Sequence, residues 1–289
     1  MSRILVTGAT GHLSRSVFEQ LLKNMDASKI TALVRDIEKA DSLLDQGIEI
    51  RQGCYEDPIL LEKAMQDIDK LLLISSSSLG NRFQHHKNVI DAAANAGVKN
   101  IVFTGVSFND PSTSYAKDVI ESLFQTEEYI KACGMTYTFL RNTLYADTIP
   151  DFIGQDVFET GIYLPAGDGK VPFALRSEMG EATANVLLSS GHANKIYHLT
   201  GNDLYSYDDI AAELSRLSGK KVIYNNPDCT VYSEKLKESG VPEQFVSFLT
   251  GFITDKKNRQ YENTSTDLEN LLGRKPTTIG EVLKELYDL

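Results

Sequence analysis

Ile4-Leu5-Val6-Thr7-Gly8-Ala9-Thr10-Gly11-His12-Leu13-Ser14 is the stretch that decides the fold. Its apolar start reads as a buried strand, which breaks at Gly8 and feeds a helix carrying Leu13, Val17, Leu21 and Leu22 on one face. Such a strand–turn–helix is built for an anion. Gly8 permits the tight turn, and Gly11 has no side chain to hold a phosphate away from the backbone. The helix then aims unpaired N–H groups and its positive dipole end at the same point. Ser14 stands where the usual dinucleotide fingerprint has its third glycine, and serine is small enough to keep the site intact. Gly8, Thr10, Gly11, His12 and Leu13 are therefore candidate cofactor-binding residues.

Outward from this turn, strand and helix signals alternate as far as residue 141. Strand patterns at 3–7, 29–35, 49–52, 70–75, 100–104 and 136–141 are separated by helical patterns. Alternation of this kind predicts an α/β fold, a Rossmann-type doubly wound parallel sheet with helices on both faces and ligands at the carboxyl ends of the strands. Residues 1–145 make up the dinucleotide-binding domain, completed by about 176–200. Residues 146–175 and 201–289 form a smaller, interleaved α/β substrate-binding part. The segment 145–171 is richer in aromatics, glycine and proline than in periodic apolar residues, and reads as a loop-rich substrate segment. A strand is expected at 221–224, and the last helices near 233–238, 242–256, 266–272 and 279–286.

Composition narrows the partners. The chain has 289 residues, 42% of them hydrophobic, and a formal net charge of −11, which disfavours nucleic acid and anionic membrane surfaces as partners. Cys54, Cys133 and Cys229 are scattered, with no CxxC and no adjacent histidines, so no metal site is expected. They read as reduced thiols of a cytoplasmic protein, and no leader or membrane-spanning run is apparent. His85 and His86 open a helix and read as packing or capping residues. Glu121, Glu127 and Glu128 read as a solvated helix face. No pattern speaks to oligomeric state.

The residue ending the second strand meets the adenosine ribose in such folds. An acidic side chain there suits a 2′-hydroxyl, whereas an arginine neutralises a 2′-phosphate. Arg35 holds that place, with Lys39 four residues on, and the pair favours NADPH over NADH despite the intervening Asp36. Small polar residues at the other strand ends, Ser75, Ser76, Thr104, Gly105 and Asn142, can hydrogen-bond ribose, phosphate and carboxamide.

Four segments carry a resemblance: TGATGHL at 7–13, VRDIEKA at 34–40, TEEYIKACGMTYTFLRN at 126–142 and LLGRKPTT at 271–278. Together the chain resembles the NmrA-like branch of the atypical short-chain dehydrogenases/reductases, nearest its type 2 NAD(P)H:quinone oxidoreductases and triphenylmethane reductases. The resemblance implies a Rossmann fold with a small C-terminal substrate domain, NADPH binding, and two-electron reduction of a quinone or related conjugated acceptor. Two departures stand out. Relatives commonly place an aspartate, able to meet the adenine, where this chain has Cys54, and often a histidine where it has Leu123, so neither role transfers.

An absence bears on the chemistry. Short-chain dehydrogenases that reduce simple carbonyls pair a tyrosine with a lysine four residues later, and no tyrosine here has that partner: Val119 follows Tyr115 at that spacing, Cys133 follows Tyr129, and Arg141 follows Tyr137. A quinone evades the requirement, because hydride arrival leaves a delocalised oxyanion that water can protonate. The reading is direct hydride transfer from NADPH to a planar small-molecule acceptor, with catalysis mainly by positioning. Phe108, Tyr145, Phe152 and Phe158 are candidate walls of the acceptor pocket, and Asn142 and Tyr145 the catalytic candidates. The alternative is a non-catalytic NADP(H)-sensing regulator, which the same absence fits. An epimerase needs the absent pair.

Overall fold

The β-branched and leucine-rich runs of the first half form the strands of one sheet. In the computed structural model, which describes residues 2–289, β1 (Ile4–Val6), β2 (Ile30–Val34), β3 (Glu49–Gln52), β4 (Lys70–Ile74), β5 (Asn100–Val106) and β6 (Thr136–Asn142) follow in chain order. A short β7 (Ile162–Tyr163) precedes β8 (Lys195–Leu199), and β9 (Tyr224–Asn225) pairs with β7 in a separate two-stranded sheet. The main sheet has seven strands in the order β3-β2-β1-β4-β5-β6-β8, all parallel. Strand order reverses between β1 and β4, which is where a doubly wound sheet opens a crevice at its carboxyl edge.

Burial on both faces explains the near-continuous hydrophobicity of the central strands. In β1, Ile4 and Val6 face a core shared with Leu13, Val17, Leu21 and Met179, while Leu5 faces the opposite core with Leu61, Leu71 and Phe103. Helices His12–Asn24 and Arg176–Leu188 pack on the first face through Gly180. A Cβ there would lie 2.6 Å from Ser16 Cβ and 2.9 Å from the Leu13 carbonyl, so only glycine allows the approach. The helix that opens the phosphate turn is thus held by a glycine far along the chain.

The C-terminal part departs from expectation in two places. The segment 145–171 is not mainly loop: it contains the short helices Ile149–Ile153 and Val157–Thr160 as well as β7. Its Ile149, Ile153, Val157, Ile162 and Leu164 are buried in a second core with Tyr207, Ile210, Leu214, Ile253 and Tyr261. Their irregular spacing hides that burial from a periodicity reading. The strand expected at 221–224 pairs only over Tyr224–Asn225.

Replacing Gly180 by valine should destabilise the fold by about 1–3 kcal/mol through overpacking. Urea unfolding should show a lower midpoint at unchanged slope. An unaltered midpoint would mean that the two helices do not depend on this approach.

Candidate active site

Two adjoining cavities run along the carboxyl edge of the sheet and share Ile74, Ser75 and Ser76. The first encloses about 540 Å³ at the seam of β1 and β4. Gly8 has φ +58°, a value suited to glycine, and its carbonyl receives the Gly11 N–H at 3.0 Å. A Cβ on Gly11 would sit 3.2 Å from that carbonyl, inside the cradle a phosphate would use. Ser14 closes the turn, its hydroxyl lying 2.8 Å from the Gly8 carbonyl and 2.9 Å from that of Gly11. A glycine there could not do this. Thr10 lines the cavity, whereas His12 is exposed at the helix start and Leu13 is buried in the core.

Arg35 lines the same cavity, and its guanidinium pairs with no carboxylate among the described residues. Lys39 does not join it. Its ammonium turns to Asp36, 3.7 Å away, because the short helical turn Ile37–Ala40 sets the two at i, i+3 spacing. Of the two cations expected to converge, Arg35 lines the cavity and Lys39 does not. Beyond the end of β3, Tyr55 and Glu56 line the cavity instead of Cys54. The Tyr55 hydroxyl donates to the Ile74 carbonyl at 3.2 Å, and burial pushes its pKa up to about 12.

The serine turn after β4 is held from behind by His86, read from the sequence as packing or capping, and by Arg82 and Thr104. His86 Nε2 accepts the Ser76 N–H at 2.9 Å, and His86 Nδ1 lies 2.8 Å from Thr126 Oγ1, which itself donates to the Ser122 carbonyl. This pattern requires Nδ1 to carry the proton and the ring to be neutral. Burial, with the charges of Arg82 and His85 beside it, lowers the His86 pKa to about 3. Arg82 Nε donates to the Ser76 carbonyl at 2.7 Å, so both peptide groups of Ser76 are fixed. Ser75 N–H is likewise held by Thr104 Oγ1 at 3.1 Å.

The second cavity, about 750 Å³, opens beyond this turn between the sheet and the second core. Thr104, Gly105, Asn142 and Tyr145 line its sheet side, and Phe152, Phe173, Phe248, Phe252 and Lys256 its far side. Phe152 lines this cavity. Phe108 and Phe158 do not: Phe108 is buried edge-on against Tyr261, and the half-buried Phe158 lies edge-on against Tyr287. Both serve the second core, the ordinary fate of an aromatic side chain. Glu127 also departs from expectation. It is buried, and Arg141 reaches both its oxygens, at 2.9 and 2.6 Å. Gly105 makes room for the pair, since a Cβ there would meet a Glu127 oxygen at 3.2 Å. Glu121 and Glu128 remain near solvent, paired with Lys117 and Lys131.

Asn142 ends β6 with its Nδ2 3.4 Å from the Tyr145 hydroxyl, while its buried Oδ1 has no hydrogen-bond partner. Burial raises the Tyr145 pKa. A buried orphan acceptor on a residue that lines a cavity is costly unless a ligand donor meets it, and a carboxamide N–H is such a donor. Together with the Gly8–Gly11 cradle and Arg35, the residues present fit a nicotinamide dinucleotide phosphate. Among the described residues no cluster of His, Cys, Asp and Glu is arranged to hold a metal, and no helix is long and apolar enough to cross a membrane.

A model of the NmrA-like family matches residues 1–283. The chain belongs to that family. It is 36% identical over 289 residues to quinone oxidoreductase 2 of Escherichia coli (strain K12), covering 99% of each chain. The crystal structure of the E. coli NADPH-dependent quinone oxidoreductase complexed with NADPH superposes with a TM-score of 0.92 at 36% identity, covering 98% of this chain and 99% of that one. The Citrobacter sp. triphenylmethane reductase complexed with NADP(H) gives 0.90 at 38% identity, again over 98% and 99% of the two chains. The expected α/β Rossmann architecture and the resemblance to this family both hold.

The neutral state of His86 makes stability depend on pH. In the unfolded chain the imidazole takes up a proton below its ordinary pKa of 6.5, which the folded protein resists until about 3. Unfolding free energy should therefore fall as pH drops from about 6.5 towards 3, by up to about 1.4 kcal/mol per pH unit for this one proton. Chemical denaturation across that range should show the component in the parent protein and lose it in His86→Gln. Parallel pH dependences would rule out the buried neutral imidazole.

Proposed function

We propose that this protein is an NADPH-dependent oxidoreductase whose acceptor is a quinone or a similar electron-poor conjugated carbonyl compound. The observation that carries the reading is the roughly 750 Å³ aromatic-lined cavity that joins the dinucleotide crevice at Ile74–Ser76. The E. coli quinone oxidoreductase supports the acceptor class, and the Citrobacter triphenylmethane reductase complexed with NADP(H) supports the cofactor. The three cysteines are unpaired, which suits a reducing cytoplasm.

The bound nicotinamide would supply hydride, and this chain's residues do the rest. Gly8 to Gly11 and the N–H groups of the helix His12–Asn24 receive the pyrophosphate. Arg35, which pairs with no carboxylate among the described residues, receives the 2′-phosphate. Ser75 and Ser76, clamped by Thr104, His86 and Arg82, form the shared wall between the two cavities. Asn142 Oδ1 takes the carboxamide N–H and fixes the ring face presented to the acceptor. Phe152 and Phe252, stacked on each other, present an aromatic wall to a planar acceptor, so rate comes mainly from orientation.

Purified protein should oxidise NADPH in the presence of at least one member of a panel of benzoquinones and naphthoquinones. Binding of NADPH without turnover on any of them would overturn the reading in favour of a dinucleotide-sensing regulator. Arg35→Asp should weaken NADPH binding tenfold or more, the loss of a charge-assisted contact of about 1.5–3 kcal/mol, with a much smaller effect on NADH. Calorimetric titration of both dinucleotides checks this, and equal losses would remove Arg35 from cofactor selection.

A further inference from the structure

Lys256 is a cavity-lining lysine that is 1% exposed and forms no salt bridge among the described residues. It lies near the end of the helix Glu243–Lys257 with its Nζ 4.2 Å from the ring centre of Phe152 and 4.6 Å from that of Phe252. Its hydrogen bond goes to the Tyr207 hydroxyl, 2.8 Å away on a different helix. The preceding Asp255 does not neutralise it, because that carboxylate is engaged by Ser114 Oγ and by the N–H groups of Tyr115 and Ala116. An ammonium has three donors. One is used, the aromatic faces take up part of the charge, and the cavity lies on the side of Phe152 and Phe252.

We propose that Lys256 is a catalytic residue on the acceptor side: it donates to the carbonyl oxygen on which negative charge settles, and so selects neutral or anionic carbonyl acceptors over cationic triarylmethane dyes. This rests on the hydride-transfer reading above and narrows its acceptor class. Hydride delivers one hydrogen and two electrons to the conjugated acceptor. The displaced π pair moves to the carbonyl oxygen, which becomes a phenolate or enolate, and a proton passes to it from Lys256. The resulting neutral amine recovers its proton from solvent before the next turnover. Acceptor, hydride and proton together make the dihydro product.

A tyrosine–lysine pair thus exists in this protein, assembled across 49 residues of sequence and with the lysine, not the tyrosine, on the cavity wall. Burial brings the Lys256 pKa down to about 7, the range in which a general acid both holds and releases a proton. The other ionisable groups around it are Tyr207 behind it and Arg82, Tyr145, Asp151 and Tyr232 on the cavity walls. Burial raises the pKa of all three tyrosines, so they stay neutral where Lys256 titrates. The protonated, active form is present below about pH 7 and is lost above it.

Lys256→Met keeps the stem volume and removes the charge. Turnover of a naphthoquinone should fall about 10²-fold, the ratio of cationic-dye to quinone turnover should rise at least tenfold, and the alkaline limb of the kcat/KM profile near pH 7 should vanish. Binding of the 2-hydroxy-1,4-naphthoquinone anion, read by equilibrium dialysis, should weaken at least tenfold while NADPH affinity is retained. Quinone turnover, pH profile and anion binding all equal to those of the parent protein would overturn the proposal. Failure of the parent protein to reduce any quinone would instead overturn the reading on which it rests. If Lys256→Met does not fold, Tyr207→Phe decides: a displaced alkaline limb supports the role of Lys256, and an unmoved limb overturns it.

Discussion

The seam between β1 and β4 is the constraint from which the rest of the molecule follows. Thr7 ties it twice, its N–H donating to the Leu72 carbonyl at 3.0 Å and its hydroxyl accepting the Ile74 N–H at 2.9 Å. At this point the sheet reverses its order, so the connections after β1 and β4 leave in opposite directions and a crevice opens between them. Gly8 must turn immediately after the tie, at a φ of +58° that side-chain-bearing residues rarely adopt. Both cavities meet at Ile74 to Ser76 because that is where the opposite bank of the same seam ends.

What could be read from sequence and what could not divides along physical lines. The opening turn, the alternating elements and Arg35 are local: each depends on neighbours within a few residues, so periodicity, turn chemistry and strand-end placement expose them. Glu127 and Arg141 lie 14 residues apart, and only the packing of one helix against β6 brings a surface-like acidic residue into a buried ion pair. Lys39 differs for the opposite reason, since its ammonium turns to a nearby carboxylate, Asp36, and the residue does not line the cavity. Lys256 looked like a basic residue closing a helix, its ordinary place beside the negative dipole end. Nothing local distinguishes it from the exposed Lys257 that follows. Its burial belongs to the second core, whose members come from five separated segments.

That core also explains why the substrate side was the less legible half. Residues 146–173 contribute short helices and a two-residue strand, too brief to repeat a period, yet they bury Ile149, Ile153, Val157, Ile162 and Leu164. Phe108 and Phe158 are consumed in the same packing, whereas Phe152 and Phe252 stack on each other, with centroids 5.8 Å apart, at the cavity wall. Aromatic composition announces that a pocket is present. Which rings face it depends on where the helix Glu243–Lys257 docks.

The placement of charge gives the two ends of the site different characters. Surface carboxylates dominate a chain of net charge −11, but their influence falls off over about 8 Å at physiological salt. Inside the cavities the charges on their walls therefore set the potential: Arg35 with Glu56 at one end, Arg82 beside the shared wall, and Lys256 with Asp151 at the other. Arg35 is exposed, and an arginine holds its charge at any physiological pH, which is what binding a permanent 2′-phosphate requires. Lys256 is buried with its charge conditional on pH, which would be a defect in a phosphate ligand. In a group that must release a proton to an oxygen as negative charge arrives there, it is the useful property. The two cations are not interchangeable: arginine in place of Lys256 would hold an anion in the ground state and give up no proton.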